Sequence, residues 1–143
     1  MKSVRRKARV PYSAEQMFDL VNDVAAYPTF LPWCRSVTVH HASDTAVEAT
    51  LDVGIGALHK RFSTRNTLAR PQRIDLSLVD GPFRRLAGSW QFDDVPSGGC
   101  DVSLALDFEV ASRPLKLIFE KGFEEIASSQ MDAFLRRAKA VYG

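Results

Sequence analysis

The chain has 143 residues, of which 45% are hydrophobic and 25% charged, and its net charge at pH 7 is +2. These values predict one domain over residues 1–143, with a core large enough to fold without disulfides or metal. The small net charge argues against DNA binding, and Cys34 and Cys100 lack the spacing of a metal site or a disulfide framework. No apolar run is long enough to cross a bilayer and no leader segment is recognisable, so we expect a cytoplasmic protein.

Seven segments alternate apolar and polar residues, which is the pattern of half-buried strands. They centre on Val4 to Val10, Val37 to Val39, Val47 to Val53, Leu58 to Leu68, Ile74 to Leu78, Leu86 to Phe92, and Val102 to Val110. Glycine-containing turns at 54–56, 80–82 and 96–99 separate several of them. Because each strand has one polar face, we expect an antiparallel sheet with water on one side.

Two kinds of helix accompany these strands. Ser13 followed by Gln16 forms a capping box, which predicts the first of two short helices after strand 1. After Pro114, apolar residues that include Ile118 recur at helical spacing and predict a long amphipathic C-terminal helix. Gly122 interrupts this helix at a cost of ~1 kcal/mol relative to alanine, so it marks a kink or a close contact.

The order of these elements predicts an α+β fold. A curved antiparallel sheet of about seven strands, wrapped around the long C-terminal helix, buries every apolar face at once. Where side chains of the sheet and the helix fail to meet, such a grip leaves room for a pocket.

The segment Tyr27-Pro-Thr-Phe-Leu-Pro-Trp-Cys34 places bulky apolar side chains on a connection broken by two prolines. Each proline removes a backbone donor and disfavours helix at the preceding residue. Large apolar groups on such a connection suit either a flap over a cavity or a plug in the core. We expect a lid over the pocket, with Gly81-Pro82-Phe83 as its opposite wall.

That segment also carries a family resemblance. Together with Phe62-Ser-Thr-Arg-Asn66, Leu78 through Phe92, and Met131 through Ala138, it resembles the coenzyme-Q-binding START-like proteins of the polyketide cyclase/dehydrase superfamily. The bacterial ribosome association toxins are close relatives within that group. The resemblance spans nearly the whole chain and implies a helix-grip (START-like) fold and an apolar cavity. It also implies that the protein binds ubiquinone as a ligand and needs no cofactor for chemistry.

Ligand contacts are expected from bulky residues on loops or beside glycine, and from inward positions of the sheet and helix. The predicted contacts are Tyr27, Phe30, Leu31, Trp33, Phe62, Thr64, Pro82, Phe83, Trp90 and Phe123. Thr64 and Asn66 share the phase of Phe62 and offer hydrogen bonds to a quinone carbonyl. For most of the aromatic rings, core packing is the alternative interpretation.

No constellation of residues predicts catalysis or metal binding. His40 and His41 are adjacent and therefore face opposite sides of a strand, and His59 falls on the polar phase. Cys34 has no histidine near it in sequence, so we expect a buried, unreactive thiol. We predict a protein that is not an enzyme, without catalytic or metal-ligating residues.

Two functions remain open. In the first, the protein binds a prenylated quinone or another apolar lipid and supports respiratory electron transport as a lipid chaperone. That role requires transient contact with the inner membrane, through residues 27–33 and the basic first strand. In the second, it binds the large ribosomal subunit and inhibits subunit joining, using basic residues on rRNA phosphates. These are Arg5, Lys7, Arg9, Arg61, Arg65, Arg84 and Arg85.

A third interpretation is an enzyme similar to polyketide cyclases on the same scaffold. The missing interior acid–base pair disfavours it, although resemblance of fold does not decide between binding and catalysis.

Overall fold

The computed structural model describes residues 1–143 and contains one seven-stranded sheet. Its strands are β1 (Lys2–Val10), β2 (Cys34–Ala42), β3 (Ala46–Ile55), β4 (Leu58–Ala69), β5 (Arg73–Asp80), β6 (Phe83–Asp94) and β7 (Cys100–Val110). Their spatial order is β1-β7-β6-β5-β4-β3-β2, and every neighbouring pair is antiparallel. Strands β2 to β7 therefore form a meander, and β1 pairs with β7 as one edge strand of the sheet, while β2 is the other edge strand.

The helices lie before and after the six consecutive strands. They are α1 (Ala14–Asn22), α2 (Tyr27–Phe30), α3 (Arg113–Leu115) and α4 (Lys121–Tyr142), with a 3-10 turn at Val24–Ala26 and a π turn at Lys116–Glu120. None of the helices combines the length and the hydropathy that crossing a membrane requires. The predicted α+β helix-grip architecture is confirmed.

The capping box lies where the sequence predicts it, whereas the boundaries of two strands differ from the predicted ones. Gln16 donates its backbone N–H to the Ser13 hydroxyl at 3.1 Å, and the Ser13 N–H donates to the Gln16 side chain at 2.9 Å, so the capping box is confirmed. The β3–β4 turn is later than predicted, because Gly54 and Ile55 still belong to β3. The second strand begins earlier, at Cys34.

The C-terminal helix α4 meets the sheet through two clusters of aromatic rings. In the Phe123 cluster, Phe123 contacts Phe62, Phe83, Phe108 and Phe119 with ring centroids 4.9–5.9 Å apart. In the Phe134 cluster, Phe134 contacts Tyr27, Phe30 and Trp90 at 5.3–5.5 Å. Each such pair adds about 0.5–1.5 kcal/mol beyond the burial of its surface. The two clusters lie roughly 16 Å apart along the helix axis and fix how α4 lies on the sheet.

The predicted inward position of Ile118 is wrong. The sequence pattern places two adjacent residues, Ile118 and Phe119, on the inward face, and the π turn at this point of the helix leaves only Phe119 buried. Phe119 is 0% exposed, whereas Leu117 is 86% and Ile118 63% exposed. The result is a pair of adjacent apolar side chains on the surface, next to Lys116.

Gly122 marks a close contact between α4 and β3. A Cβ atom at this position would lie 2.5 Å from Cγ2 of Ile55, well inside van der Waals contact. The close approach therefore requires glycine inside the helix, in spite of its low helix propensity.

Replacing Gly122 with alanine is expected to destabilise the protein. The helix gains ~1 kcal/mol from the better helix former, but overpacking against Ile55 costs about 1–3 kcal/mol. We predict that Gly122→Ala lowers the free energy of unfolding by about 1 kcal/mol in urea denaturation. In an Ile55→Ala background the same change should raise that free energy. Equal effects in both backgrounds would contradict the proposed contact.

Candidate functional site

An apolar cavity lies between the inner face of the sheet and α4, between the Phe123 and Phe134 clusters. Its volume is ≈ 80 Å³, and 15 of its 18 lining residues are hydrophobic. They are Val21, Val24, Tyr27, Trp33, Ala49, Leu51, Phe62, Thr64, Asn66, Ile74, Leu76, Leu86, Trp90, Leu106, Phe123, Ile126, Ala127 and Gln130. The cavity has room for a few water molecules, but its mostly apolar wall offers them few hydrogen-bond partners.

The periodicity of the surrounding elements explains this wall. Alternation along β4 turns Phe62, Thr64 and Asn66 inward while their neighbours face solvent. On α4, the lining residues are Phe123, Ile126, Ala127 and Gln130, at the spacing of a single helix face. Two of the facing positions are alanines, Ala49 on β3 and Ala127 on α4, and both are buried. Because their side chains are short, the sheet and the helix do not meet there.

Three polar side chains interrupt the apolar wall: Thr64, Asn66 and Gln130. Thr64 is 7% exposed and is the one polar residue among the buried residues. The Asn66 side-chain oxygen is buried without a hydrogen-bond partner. An unsatisfied buried acceptor costs about 1–3 kcal/mol. An amide carries both a donor and an acceptor, so Asn66 suits a hydroxyl or, with its amide turned, a carbonyl of a ligand.

Tyr27 is the one titratable side chain in the wall. Its hydroxyl donates a hydrogen bond to the Val21 carbonyl, and burial raises the pKa of Tyr27 above its ordinary value. The phenol is therefore neutral and its proton is held by the backbone. Since no second titratable group lines the cavity, the wall contains no pair that exchanges protons with a substrate.

Six of the predicted contact residues line the cavity. They are Tyr27, Trp33, Phe62, Thr64, Trp90 and Phe123. Tyr27 and Trp33 reach it from the proline-broken segment, Phe62 and Thr64 from β4, Trp90 from β6, and Phe123 from α4. The structure thus brings together side chains from distant parts of the sequence.

Phe30, Leu31, Pro82 and Phe83 lie outside the cavity wall. Phe30 packs on Phe134, with the Arg137 guanidinium 5.0 Å from its ring centroid. Leu31 is 1% exposed and belongs to the core. Pro82 is half-buried on the β5–β6 turn.

Phe83 forms a second layer behind the wall. Its ring centroid lies 5.6 Å from that of Phe62 and 4.9 Å from that of Phe123, and both of these rings face the cavity. The turn at 81–83 is therefore not the opposite wall of the Tyr27–Cys34 segment, and that expectation is wrong. The segment contacts β3 and α4 instead. The Gly54 N–H donates to the Trp33 carbonyl at 2.9 Å, and the Tyr27 and Phe30 rings pack on Phe134.

Sequence reasoning missed the residues that create the space. Ala49 and Ala127 carry no chemistry and look like ordinary core positions in the sequence. Gln130 had a usable signal, because it is a polar residue on the apolar stripe of α4, two helical turns after Phe123. Asn66 was noted for its phase but was not placed among the predicted contacts.

The remaining candidate groups are outside the cavity. Cys34 is 3% exposed, and burial, with a smaller contribution from Asp52, raises the pKa of its thiol to about 11. A thiol with that pKa is a poor nucleophile at neutral pH. His40 and His59 are exposed; His40 lies 2.7 Å from the Thr50 hydroxyl and His59 3.4 Å from Arg35.

Replacing Asn66 with leucine is expected to stabilise the protein. Leucine has a similar size and removes the buried acceptor that lacks a partner, so the free energy of unfolding should rise by about 1 kcal/mol. Urea denaturation of Asn66→Leu beside the wild type measures this. A loss of stability would contradict the interpretation that the Asn66 oxygen is a buried acceptor without a partner.

The chain is similar to both lipid-binding proteins and ribosome association toxins. A sequence model of the family described as polyketide cyclase / dehydrase and lipid transport matches residues 10–135. The ribosome association toxin RatA of Vibrio cholerae is 48% identical over 143 residues, which are 100% of this chain and 99% of the toxin. A mitochondrial coenzyme Q-binding protein, COQ10 homolog B of Xenopus laevis, is 28% identical over 136 residues, which are 92% of this chain and 56% of that protein.

Solved structures share the fold. The aromatase/cyclase of Streptomyces sp. R1128 superposes with a TM-score of 0.84 at 16% identity, covering 96% of this chain and 93% of its own. At that identity the likeness concerns the fold alone, which is START-like. The family model, in contrast, matches the sequence itself from the end of β1 through β7 and most of α4. The chain therefore belongs to the polyketide cyclase/dehydrase and lipid transport family.

Proposed function

We propose that this protein binds an apolar ligand between its sheet and α4, and that the ligand is a prenylated quinone of the ubiquinone type. The observation that carries the proposal is the cavity itself, with its hydrophobic wall and a few polar groups. This composition is typical of small-molecule sites, in which polar groups fix the orientation of the ligand. The coenzyme Q-binding relative and the lipid transport members of the family support the same ligand class.

The size of the cavity sets a condition on binding. Small-molecule sites usually have about 300–1,000 Å³, whereas this cavity has ≈ 80 Å³. A quinone ring therefore enters only if the wall moves outward. Burial of one isoprene unit contributes roughly 4 kcal/mol at ~0.8 kcal/mol per carbon, and this free energy acts against the cost of the displacement.

We further propose that binding is not followed by chemistry. The family description includes cyclases and dehydrases. In this chain, the lining residue that titrates is Tyr27, and its hydroxyl is held by the Val21 carbonyl. Water or a substrate in the cavity meets no general base there, so binding and shielding are the roles that suit this wall.

A lipid chaperone that supports respiratory electron transport must collect its ligand from a membrane. The proline-broken segment suits that contact poorly, since Tyr27 and Leu31 are buried. The adjacent Leu117 and Ile118 suit it better, because both are exposed. Neighbouring exposed apolar side chains favour transient contact with a lipid surface, but Lys116 beside them is paired with Glu109 at 3.7 Å and adds little attraction to anionic lipids.

Filling the cavity is expected to weaken ligand binding. We predict that Ala127→Leu, whose added carbons occupy the cavity, folds but binds ubiquinone with one isoprene unit at least tenfold more weakly than the wild type, because the ring loses its space. Quenching of Trp33 and Trp90 fluorescence measures the affinity. Ala140→Leu, an exposed change on the same helix, is the control and should bind normally. Unchanged binding by Ala127→Leu would contradict the proposed site.

The second candidate function is binding to the large ribosomal subunit, with inhibition of subunit joining. The observation that favours it is the 48% identity to a ribosome association toxin along the whole chain. It requires free cations to contact rRNA phosphates.

Part of the predicted basic surface is neutralised by ion pairs. Arg5 pairs with Asp107 at 3.0 Å, Arg9 with Asp101 at 2.8 Å and Arg61 with Asp52 at 3.9 Å. Among the seven predicted cations, those without an ion pair are Lys7, Arg65, Arg84 and Arg85. The register of β1, β4 and β6 places three of them, Lys7, Arg65 and Arg85, on the outer face of the sheet.

The ribosome hypothesis predicts co-sedimentation with the large subunit at low salt in a sucrose gradient. A variant with Lys7, Arg65 and Arg85 changed to glutamate should lose it, because electrostatic contacts to phosphate carry the affinity. A variant with Lys121, Arg136 and Lys139 changed to glutamate has the same net charge and should keep it. Absence of wild-type co-sedimentation at every salt concentration would remove this function. Retained binding by the first variant would remove the proposed surface.

A further inference from the structure

A shallow groove lies on the outside of the cavity wall. It has a volume of ≈ 360 Å³ and runs between the end of β3 and the first turns of α4. Its lining residues are Trp33, Gly54, Ile55, Gly122, Glu125, Ile126 and Ser129. Trp33 and Ile126 line the groove on one side and the cavity on the other. The two spaces are therefore separated by these two side chains.

Trp33 is the least anchored aromatic ring of the cavity wall. Tyr27, Phe62, Trp90 and Phe123 each contact at least one other aromatic ring. Trp33 contacts no other ring, its indole N–H makes no hydrogen bond, and the side chain is half-buried. No aromatic pair and no side-chain hydrogen bond therefore opposes its rotation.

We propose that the groove binds the hydrocarbon tail of the ligand, and that the tail leaves the cavity between Trp33 and Ile126. This inference rests on the proposed function. The cavity at ≈ 80 Å³ has no room for a tail, and the adjoining groove has more than four times that volume. Rotation of Trp33 would join the two spaces into one site.

The distribution of polar groups sets the orientation of the ligand. Thr64, Asn66 and Gln130 in the cavity can all donate a hydrogen bond to a quinone carbonyl. The polar side chains of the groove offer no such donor, because the Ser129 hydroxyl is bonded to the Ile126 carbonyl and Glu125 carries a carboxylate. The passage itself consists of the apolar side chains Trp33 and Ile126. A ligand with a ring that forms hydrogen bonds therefore places the ring inside and its tail outward. Glu125 in the groove disfavours an anionic head group at that position.

Affinity as a function of tail length tests the groove. We would titrate the wild type, by tryptophan quenching, with ubiquinones of one, two and four isoprene units. The second unit should raise the affinity about tenfold or more, since its five carbons leave water.

Ser129→Phe, which fills the groove, should bind the one-unit quinone within about twofold of the wild type but gain nothing from longer tails. Ala140→Phe, exposed on the same helix, should behave as the wild type. If Ser129→Phe unfolds, Glu125→Phe fills the same groove from an exposed position.

The outcomes separate this inference from the proposed function. Binding of the one-unit quinone without any dependence on tail length would overturn the groove and leave the cavity as a quinone site. Tail-length dependence that Ser129→Phe and Glu125→Phe both retain would also overturn the groove. Binding of no quinone in the series would overturn the proposed function and the groove with it.

Discussion

The structure depends on one constraint: a single helix must cover the apolar face of a seven-stranded sheet. Helix α4 meets that face through the Phe123 cluster at one end and the Phe134 cluster at the other. These rings set the distance between helix and sheet. Between them the facing side chains are short, at Ala49 and Ala127, and the distance is not filled. The cavity is therefore a consequence of how the fold is held together, because rings that hold the helix away from the sheet also create the space.

The sequence was informative where one residue property decided the structure. Alternation placed the strands and the capping box placed α1, while two residues of the proline-broken segment, Tyr27 and Trp33, line the cavity. It was uninformative where the packing of several elements decided. Phe83 and Phe123 are both phenylalanines, but only their neighbours make Phe123 part of the wall and Phe83 the layer behind it. Ile118 fits the apolar spacing of the sequence, but the π turn at this point of the helix leaves it exposed. The alanines that line the cavity look like ordinary core residues in the sequence, so they could not predict an empty space.

The two candidate functions use opposite faces of the same sheet. On β4, Thr64 and Asn66 point into the cavity while Arg65 between them points to solvent. Ligand binding and electrostatic contact with RNA are therefore physically separable in this chain, and variants can remove one without touching the other. The buried, unpartnered Asn66 oxygen favours a role for the inner face, since an apolar residue there would be more stable. The outer face carries fewer free cations than its composition suggests, because Asp101 and Asp107 neutralise their neighbours.

The most direct measurement is a crystal structure of the protein with a short-chain ubiquinone. The account predicts the quinone ring between the Phe123 and Phe134 clusters, with a ring oxygen within hydrogen-bond distance of Thr64, Asn66 or Gln130. It also predicts that the wall is displaced outward at Trp33. A ring bound elsewhere on the molecule, with the cavity unchanged between Phe123 and Trp90, would contradict the central claim that this space is a ligand site.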